Sequence, residues 1–293
     1  MQTHSLPKHP IYKVYGTHIC GKTSMIFSEG ELWKQSRSLF SPGFSASHLM
    51  TLVPTIVDDT KIFSKRLSRV AETKEVVQLE HMTGHLTIDI MGHVILDHNL
   101  NSQTGQNRLV DAFRQAISWT PASKTINPFA GFNPIRPLAH WYWTRVMDGY
   151  LSRVIEERYE MLKNGLLDKS RKCAIDLALA EYSRQQEEKN DLQHQKIDRA
   201  FMQIIIDGMK TFLFAGHDTS SSTICYVYHL LELNPKTLTK VIQEHNEVLG
   251  EDTSMAADTI KADPQLLNKL PYTLAVIKGI FLHAFESLKS SKA

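Results

Sequence analysis

Between Ile197 and Leu233 the chain runs without a proline, and Asn234-Pro235 then closes the stretch. A proline inside a helix removes a backbone donor and clashes with the preceding turn, so its absence leaves one long helix free to form and its return marks the stop. At ~1.5 Å per residue such a helix is ~55 Å long and crosses a protein of this size. Everything else must be arranged around it.

The remaining segments agree with a helical chain. Gly 14 and Pro 11 are low for 293 residues, and the segments between them carry apolar residues at helical spacing, so the expected fold is mainly α with few strands. A first helix is expected from Ser28, whose spacing to Glu31 is that of a capping box, to just before Pro42. Helices follow over 45–70, 81–98, 106–119 and 138–162, the segment 81–98 being apolar enough to be buried on most of its surface. Pro121 to Pro137 reads as an ordered apolar loop around Phe129 and Phe132. Glu181 to Lys196, rich in Gln, Glu, Lys and Asn, reads as a solvated connection or a polar helix face. The length allows one large domain or two smaller ones.

Lys+Arg 33 against Asp+Glu 31 leaves a net charge of +2, which excludes nucleic acid as the expected partner. Cys20, Cys173 and Cys225 are odd in number, widely spaced and without a C-x-x-C pair, arguing against a disulfide framework and a structural zinc site. No metal ligand set is read from the sequence. The start, MQTHSLPKHP, has neither a signal peptide nor an anchor pattern, and no stretch reaches the ~18 apolar residues of a membrane span.

The long helix breaks local rules at its centre. After Phe212-Leu213-Phe214 come Ala215-Gly216-His217-Asp218 and five hydroxyl residues, Thr219 to Thr223, where a buried helix favours Ala or Leu. Two readings stand side by side. In one, Gly216 weakens the helix and Ser/Thr side chains bond back to carbonyls, bending it. In the other, Ala215 and Gly216 give a flat ligand room against the backbone, while Asp218 and Thr219 supply a proton route. His217 lacks a second ligand one turn away and reads as a satisfied or solvent-facing residue. Trp33 and Arg37, four apart, share a helix face and can offer an indole N–H and a guanidinium to one carboxylate; alternatively they are a core aromatic and a surface cation.

Trp33-Lys-Gln-Ser-Arg37, Ser41-Pro-Gly-Phe44, Phe214-Ala-Gly-His-Asp-Thr219 and Leu270-Pro-Tyr-Thr-Leu-Ala-Val-Ile-Lys278, in this order, resemble a cytochrome P-450, a haem-thiolate monooxygenase, of the fungal secondary-metabolism type. The resemblance covers residues 1–278 as a partial cytochrome P-450 domain, with 279–293 a divergent tail. It implies haem as cofactor, with Trp33 and Arg37 holding a propionate and Ala215 and Gly216 forming the groove over the ring. Asp218 and Thr219 are then catalytic, organising the water that protonates bound dioxygen. It also implies a lipophilic small-molecule substrate, dioxygen and an NADPH-dependent flavoprotein reductase as partners. The site of action implied for the family is the cytoplasmic face of the endoplasmic reticulum membrane; without an anchor this chain is expected to be cytoplasmic. Phe129, Phe132, Trp141 and Trp143 then line an entry channel or touch a membrane, or are ordinary core.

The chain departs from the family pattern in two places. The Glu-x-x-Arg that follows such a segment is replaced by Gly279 and Leu282, and the cysteine loop that ligates iron is absent from the sequence. Gly16-Thr-His-Ile-Cys20-Gly is a decoy for that loop, because it precedes Trp33 and lacks the accompanying phenylalanine. The expected fold is therefore cytochrome P-450-like, lacking the C-terminal haem-ligand portion, with the chain truncated at both ends. The alternative function is a catalytically dead remnant without haem-thiolate ligation.

Overall fold

A computed structural model describes residues 7–9, 16–120, 133–167, 173–188 and 196–279. Among these residues the α-helices labelled here follow in order: α1 Gly30–Phe40, α2 Ala46–Thr73, α3 Leu79–Leu96, α4 Arg108–Ser118, α5 Ile135–Lys163, α6 Ala174–Glu188, α7 Arg199–Leu233, α8 Pro235–Leu249 and α9 Ala256–Ala262. Residues 16–20 and 271–279 are also helical, and short 3-10 turns cover Ser41–Phe44 and Pro264–Lys269. No strand occurs among the described residues. The expected tail from 280 onward, and the loop around Phe129 and Phe132, lie outside them.

Several boundaries differ from expectation for local reasons. Helix α1 starts at Gly30 with Glu29 as its N-cap and no side-chain cap, so the Ser28 capping box does not form. Ser28 is buried and its carbonyl accepts Lys8 Nζ at 2.8 Å instead. Pro137 does not end a loop; it sits in the first turn of α5, where no helical donor is required. Pro54 lies inside α2, which tolerates the lost donor. The polar stretch after Glu181 extends α6 as far as Glu188, the polar-face alternative. Helix α7 starts where Asp198 accepts the N–H groups of Ala200 and Phe201 at 3.0 and 3.1 Å, an N-cap.

The chain divides into two compact units, residues 1–48 with 91–215 and residues 49–90 with 216–293. In the first, α4 is capped by Asn107, whose side chain accepts Leu109 N and Val110 N. Its buried stripe of Leu109, Val110, Ala112, Phe113 and Ala116 packs on α5, which buries Met147, Leu151, Val154 and Ile155. Arg158 of α5 then ties two segments: Nε donates to Asp176 Oδ1 at 2.9 Å and Nη1 to Asp97 Oδ2 at 2.9 Å. Asp176, 1% exposed, also accepts Cys173 N at 3.1 Å and so caps α6. In the second unit, Phe63 of α2 meets Met82 and Leu86 of α3, with Leu67, Val70, Ile90 and Ile224 around them. On its surface, Lys61–Asp258 and Lys261–Asp58 link α2 to α9 at 2.6 and 2.7 Å. Glu244 of α8 accepts Tyr272 N and Thr273 N at 2.6 and 2.8 Å, capping residues 271–279.

The segment 16–20 is fastened to α5 by a histidine pair. The His18 and His140 rings lie 3.8 Å apart between centroids, His18 Nε2 is 3.1 Å from Thr120 Oγ1, and Thr144 donates to the His18 carbonyl at 2.7 Å. Burial, then the neighbouring His140 and Arg136, holds the His18 pKa down at about 4; burial also lowers His140.

Two outcomes are expected. Arg158→Met strands the buried Asp176 carboxylate and lowers the unfolding free energy by about 3–5 kcal/mol in urea titration, whereas Asp58→Asn, at a surface pair, costs less than about 1 kcal/mol. Because folding depresses the His18 pKa, the unfolded chain takes up the extra proton as pH falls from 6.5 towards about 4, and stability drains over that window. The stability difference between wild type and His18→Gln therefore shrinks from pH 7 to pH 4; a constant difference contradicts the assignment.

Candidate cofactor groove on the long helix

Helix α7 changes character along its length. From Ile204 to Thr211 every residue is buried, so this half is surrounded by protein. From Phe214 onward it has an exposed face that includes Phe214, Ala215, Asp218, Thr219 and Ser220. The helix is continuous through Ala215-Gly216, so the run of small residues does not break it.

On the first unit, α1 supplies the polar part of a site. Its buried face is Ser36, Leu39 and Phe40, and turning those residues inward leaves Trp33 (39% exposed) and Arg37 outside, one turn apart. The register of α1 is set by Gly208 of α7. A Cβ at Gly208 would lie 2.5 Å from the Phe40 ring, so only glycine admits that ring. Phe40 meets Phe212 edge-on at 5.2 Å between centroids, and Phe44 meets the same ring at 4.7 Å. Together Met25, Arg37, Phe40, Ser41, Phe44 and Phe212 line a cavity of about 470 Å³. Phe40, 1% exposed, packs on Gly208, which leaves the exposed Phe44 ring and the half-buried Phe212 ring beside one guanidinium, a lining that suits an apolar molecule carrying a carboxylate. The residues present therefore fit haem, with Arg37 for a propionate and the rings for the macrocycle. Of the residues expected from sequence, Trp33, Arg37 and Ala215 belong to this unit. Met25, Phe40 and Phe212 were not singled out, because an aromatic or methionine at helical spacing reads as core until its neighbours are known.

On the second unit, the hydroxyl run separates into two roles. Ser221 is buried, with Oγ 2.7 Å from Thr83 Oγ1 of α3. Thr83 Oγ1 also lies 3.3 Å from Cys225 Sγ, and Thr87 donates to the His217 carbonyl at 2.8 Å. These hydroxyls fasten α3 to α7. Thr223 bonds back to the Thr219 carbonyl at 2.8 Å, the local pattern of the bending alternative. Asp218 and Thr219 turn their side chains outward, next to the half-buried Gly216. His217 is half-buried as well.

The cysteines are built into the fold. Burial, chiefly, pushes the Cys20 thiol up to about 12, and the Cys173 thiol is raised for the same reason. Cys225 sits against Thr83.

The chain matches the cytochrome P450 family model over residues 2–281. It is 40% identical over 272 residues to the cytochrome P450 monooxygenase acrF of Aspergillus aculeatus, covering 93% of this chain and 52% of that protein. It is 33% identical over 277 residues to the cytochrome P450 monooxygenase polC of Polytolypa hystricis, covering 94% and 49%. The chain thus spans about half the length of these relatives. Among solved structures, the cytochrome P450 CYP102L1 superimposes with a TM-score of 0.71 at 17% identity, over 94% of this chain and 58% of that one; this likeness shows the fold.

Thr219 and Ser221 are expected to separate in stability. Ser221→Ala removes a buried partner of Thr83 and costs about 1–3 kcal/mol, while Thr219→Ala, on the exposed face, stays within about 0.5 kcal/mol by thermal denaturation.

Proposed function

The chain belongs to the cytochrome P450 family, and from that premise we propose that it serves in a haem- and dioxygen-dependent monooxygenase that oxidises a lipophilic small molecule in fungal secondary metabolism. The observation that carries the reading is the cavity in which Arg37 stands beside Phe40, Phe44 and Phe212. Haem is the cofactor of the family, and when bound it supplies the dioxygen activation and the oxidising power.

The protein's own residues provide binding, access and protons. The Arg37 guanidinium pairs with a propionate and the Trp33 indole N–H donates to the same group, anchoring the cofactor's polar edge on α1. Ala215 and Gly216 keep side-chain bulk off the α7 backbone, leaving room for a flat ring and a diatomic ligand. Thr219 Oγ1 holds a water by hydrogen bonding, and the Asp218 carboxylate exchanges protons with solvent and passes them through that water. Both side chains stand on the exposed face of α7, where such exchange is fast.

The family requires oxygen and a redox partner. For this chain we assign that partner as an NADPH-dependent flavoprotein reductase, and the site of action as the cytoplasmic face of the endoplasmic reticulum membrane. No described helix is long and apolar enough to cross a membrane. The exposed Ile135, Leu138, Trp141 and Tyr142 on the first turns of α5 support surface contact with lipid, the membrane alternative for Trp141.

Haemin titration followed by tryptophan fluorescence tests the cofactor assignment. Arg37→Ala removes a charge-assisted pair and weakens haemin binding by roughly tenfold or more, and Trp33→Phe weakens it less. Asp218→Asn and Thr219→Ala leave haemin affinity within about twofold, because they do not anchor the cofactor. Equal affinities for wild type and Arg37→Ala would refute the assignment.

A further inference from the structure

The buried half of α7 carries charge that the proposed chemistry does not use. Asp207 and Lys210 are each 1% exposed. Lys210 Nζ lies 2.8 Å from Asp148 Oδ1 and 3.1 Å from Asp207 Oδ1, so one buried cation is shared by two acids. Lys210 therefore offsets only part of the acid charge, and polar donors must complete the solvation of Asp207. They come from two places. Gln203 Nε2 donates to Oδ1 at 2.8 Å from within α7. Thr23 donates twice to Oδ2, through its N–H at 2.9 Å and its Oγ1 at 2.7 Å.

Thr23 belongs to the turn that precedes α1, and the turn is shaped to reach this acid. Gly21 has φ +84°, a left-handed conformation natural to glycine. A Cβ built there would lie 1.9 Å from the Asp207 carboxyl carbon. One residue past Thr23, the buried Ser24 Oγ is 2.7 Å from Thr211 Oγ1. The Ser24 carbonyl accepts Phe27 N and Ser28 N at 3.0 and 2.8 Å, and Lys8 Nζ holds the Met25 and Ser28 carbonyls at 2.9 and 2.8 Å. Met25, fixed between these bonds, is a wall of the cavity that Arg37 lines.

We propose that Asp207 is a positioning residue for the cofactor cavity: its carboxylate pins the turn of residues 21–24 to α7 and so sets the wall that Met25 contributes to the cavity Arg37 also lines. This rests on the haem reading of that cavity. Asp148 shares Lys210 but not the turn, which separates positioning from bulk stability. Losing Asp148 weakens the fold and leaves the turn in place. Losing the Thr23 hydroxyl removes one of the two bonds from the turn to Asp207, so it loosens the turn and leaves the ion cluster in place.

The test uses the full chain with haemin as probe, and follows amide hydrogen exchange and haemin affinity in parallel. Thr23→Val removes the hydroxyl donor, Thr23→Ser restores it, Gly21→Ala drives a methyl into the acid, and Asp148→Asn is the stability control. Thr23→Val and Gly21→Ala are expected to speed exchange at residues 23–28 by roughly tenfold and to weaken haemin binding several-fold. Thr23→Ser is expected to match wild type in both, and Asp148→Asn to lower the denaturation midpoint while leaving both near wild type. Wild-type exchange in Thr23→Val overturns the clasp. Faster exchange with unchanged haemin affinity overturns its link to the cavity, as does an Asp148→Asn effect equal to that of Thr23→Val. A wild-type chain that takes up no haemin overturns the functional reading, and the exchange arm then judges the clasp by itself.

Discussion

The seating of Phe40 against Gly208 is the contact on which the first unit's site depends. A helix surrounded by protein leaves little freedom at its surface, because side chains there must interlock at close-packed density. Gly208 opens a notch in that surface, and the Phe40 ring fills it. Once the ring is seated, the rotation of α1 is settled: Ser36, Leu39 and Phe40 face inward, and Trp33 and Arg37 face outward on the same helix. A guanidinium is thereby placed beside aromatic rings without any loop having to hold it there.

The same helix serves two purposes by changing its surroundings along its length. In the enclosed half, charge is tolerated only inside a closed set of partners, which is why Asp207 and Lys210 occur together with Asp148 and the donors of Thr23 and Gln203. Beyond Phe214 the exposed face carries Asp218 and Thr219, the groups proposed to exchange protons with water. The inward hydroxyl Ser221 holds α3, so the hydroxyl-rich segment is neither wholly structural nor wholly functional.

Much of this was legible from sequence. The absence of proline gave the long helix within two residues at its start, and the ordered motifs around Trp33, Phe44 and Phe214 led to the family. Boundaries were less legible where a cap decided them. Ser28 has the right spacing to Glu31, yet it is buried and does not cap α1, which spacing alone does not reveal. The cavity walls were hidden for another reason. Phe212 and Met25 look like core, and only the fold places them beside Arg37. One signal lies in the sequence: Asp207 and Lys210 within Ile204-Ile-Ile-Asp-Gly-Met-Lys-Thr-Phe212, an acid and a base three apart in an apolar helix, which a buried helix carries only when they are paired.

The proposal rests on the first unit, where the outward face of α1 and the end of its α7 segment at Ala215 hold a porphyrin. The most direct measurement is nuclear magnetic resonance of the isotopically labelled chain during addition of haemin, whose paramagnetic iron broadens the signals of nearby groups. The account predicts early broadening of the Trp33 indole N–H and the Ala215 amide. Sharp signals from both at saturating haemin would contradict it.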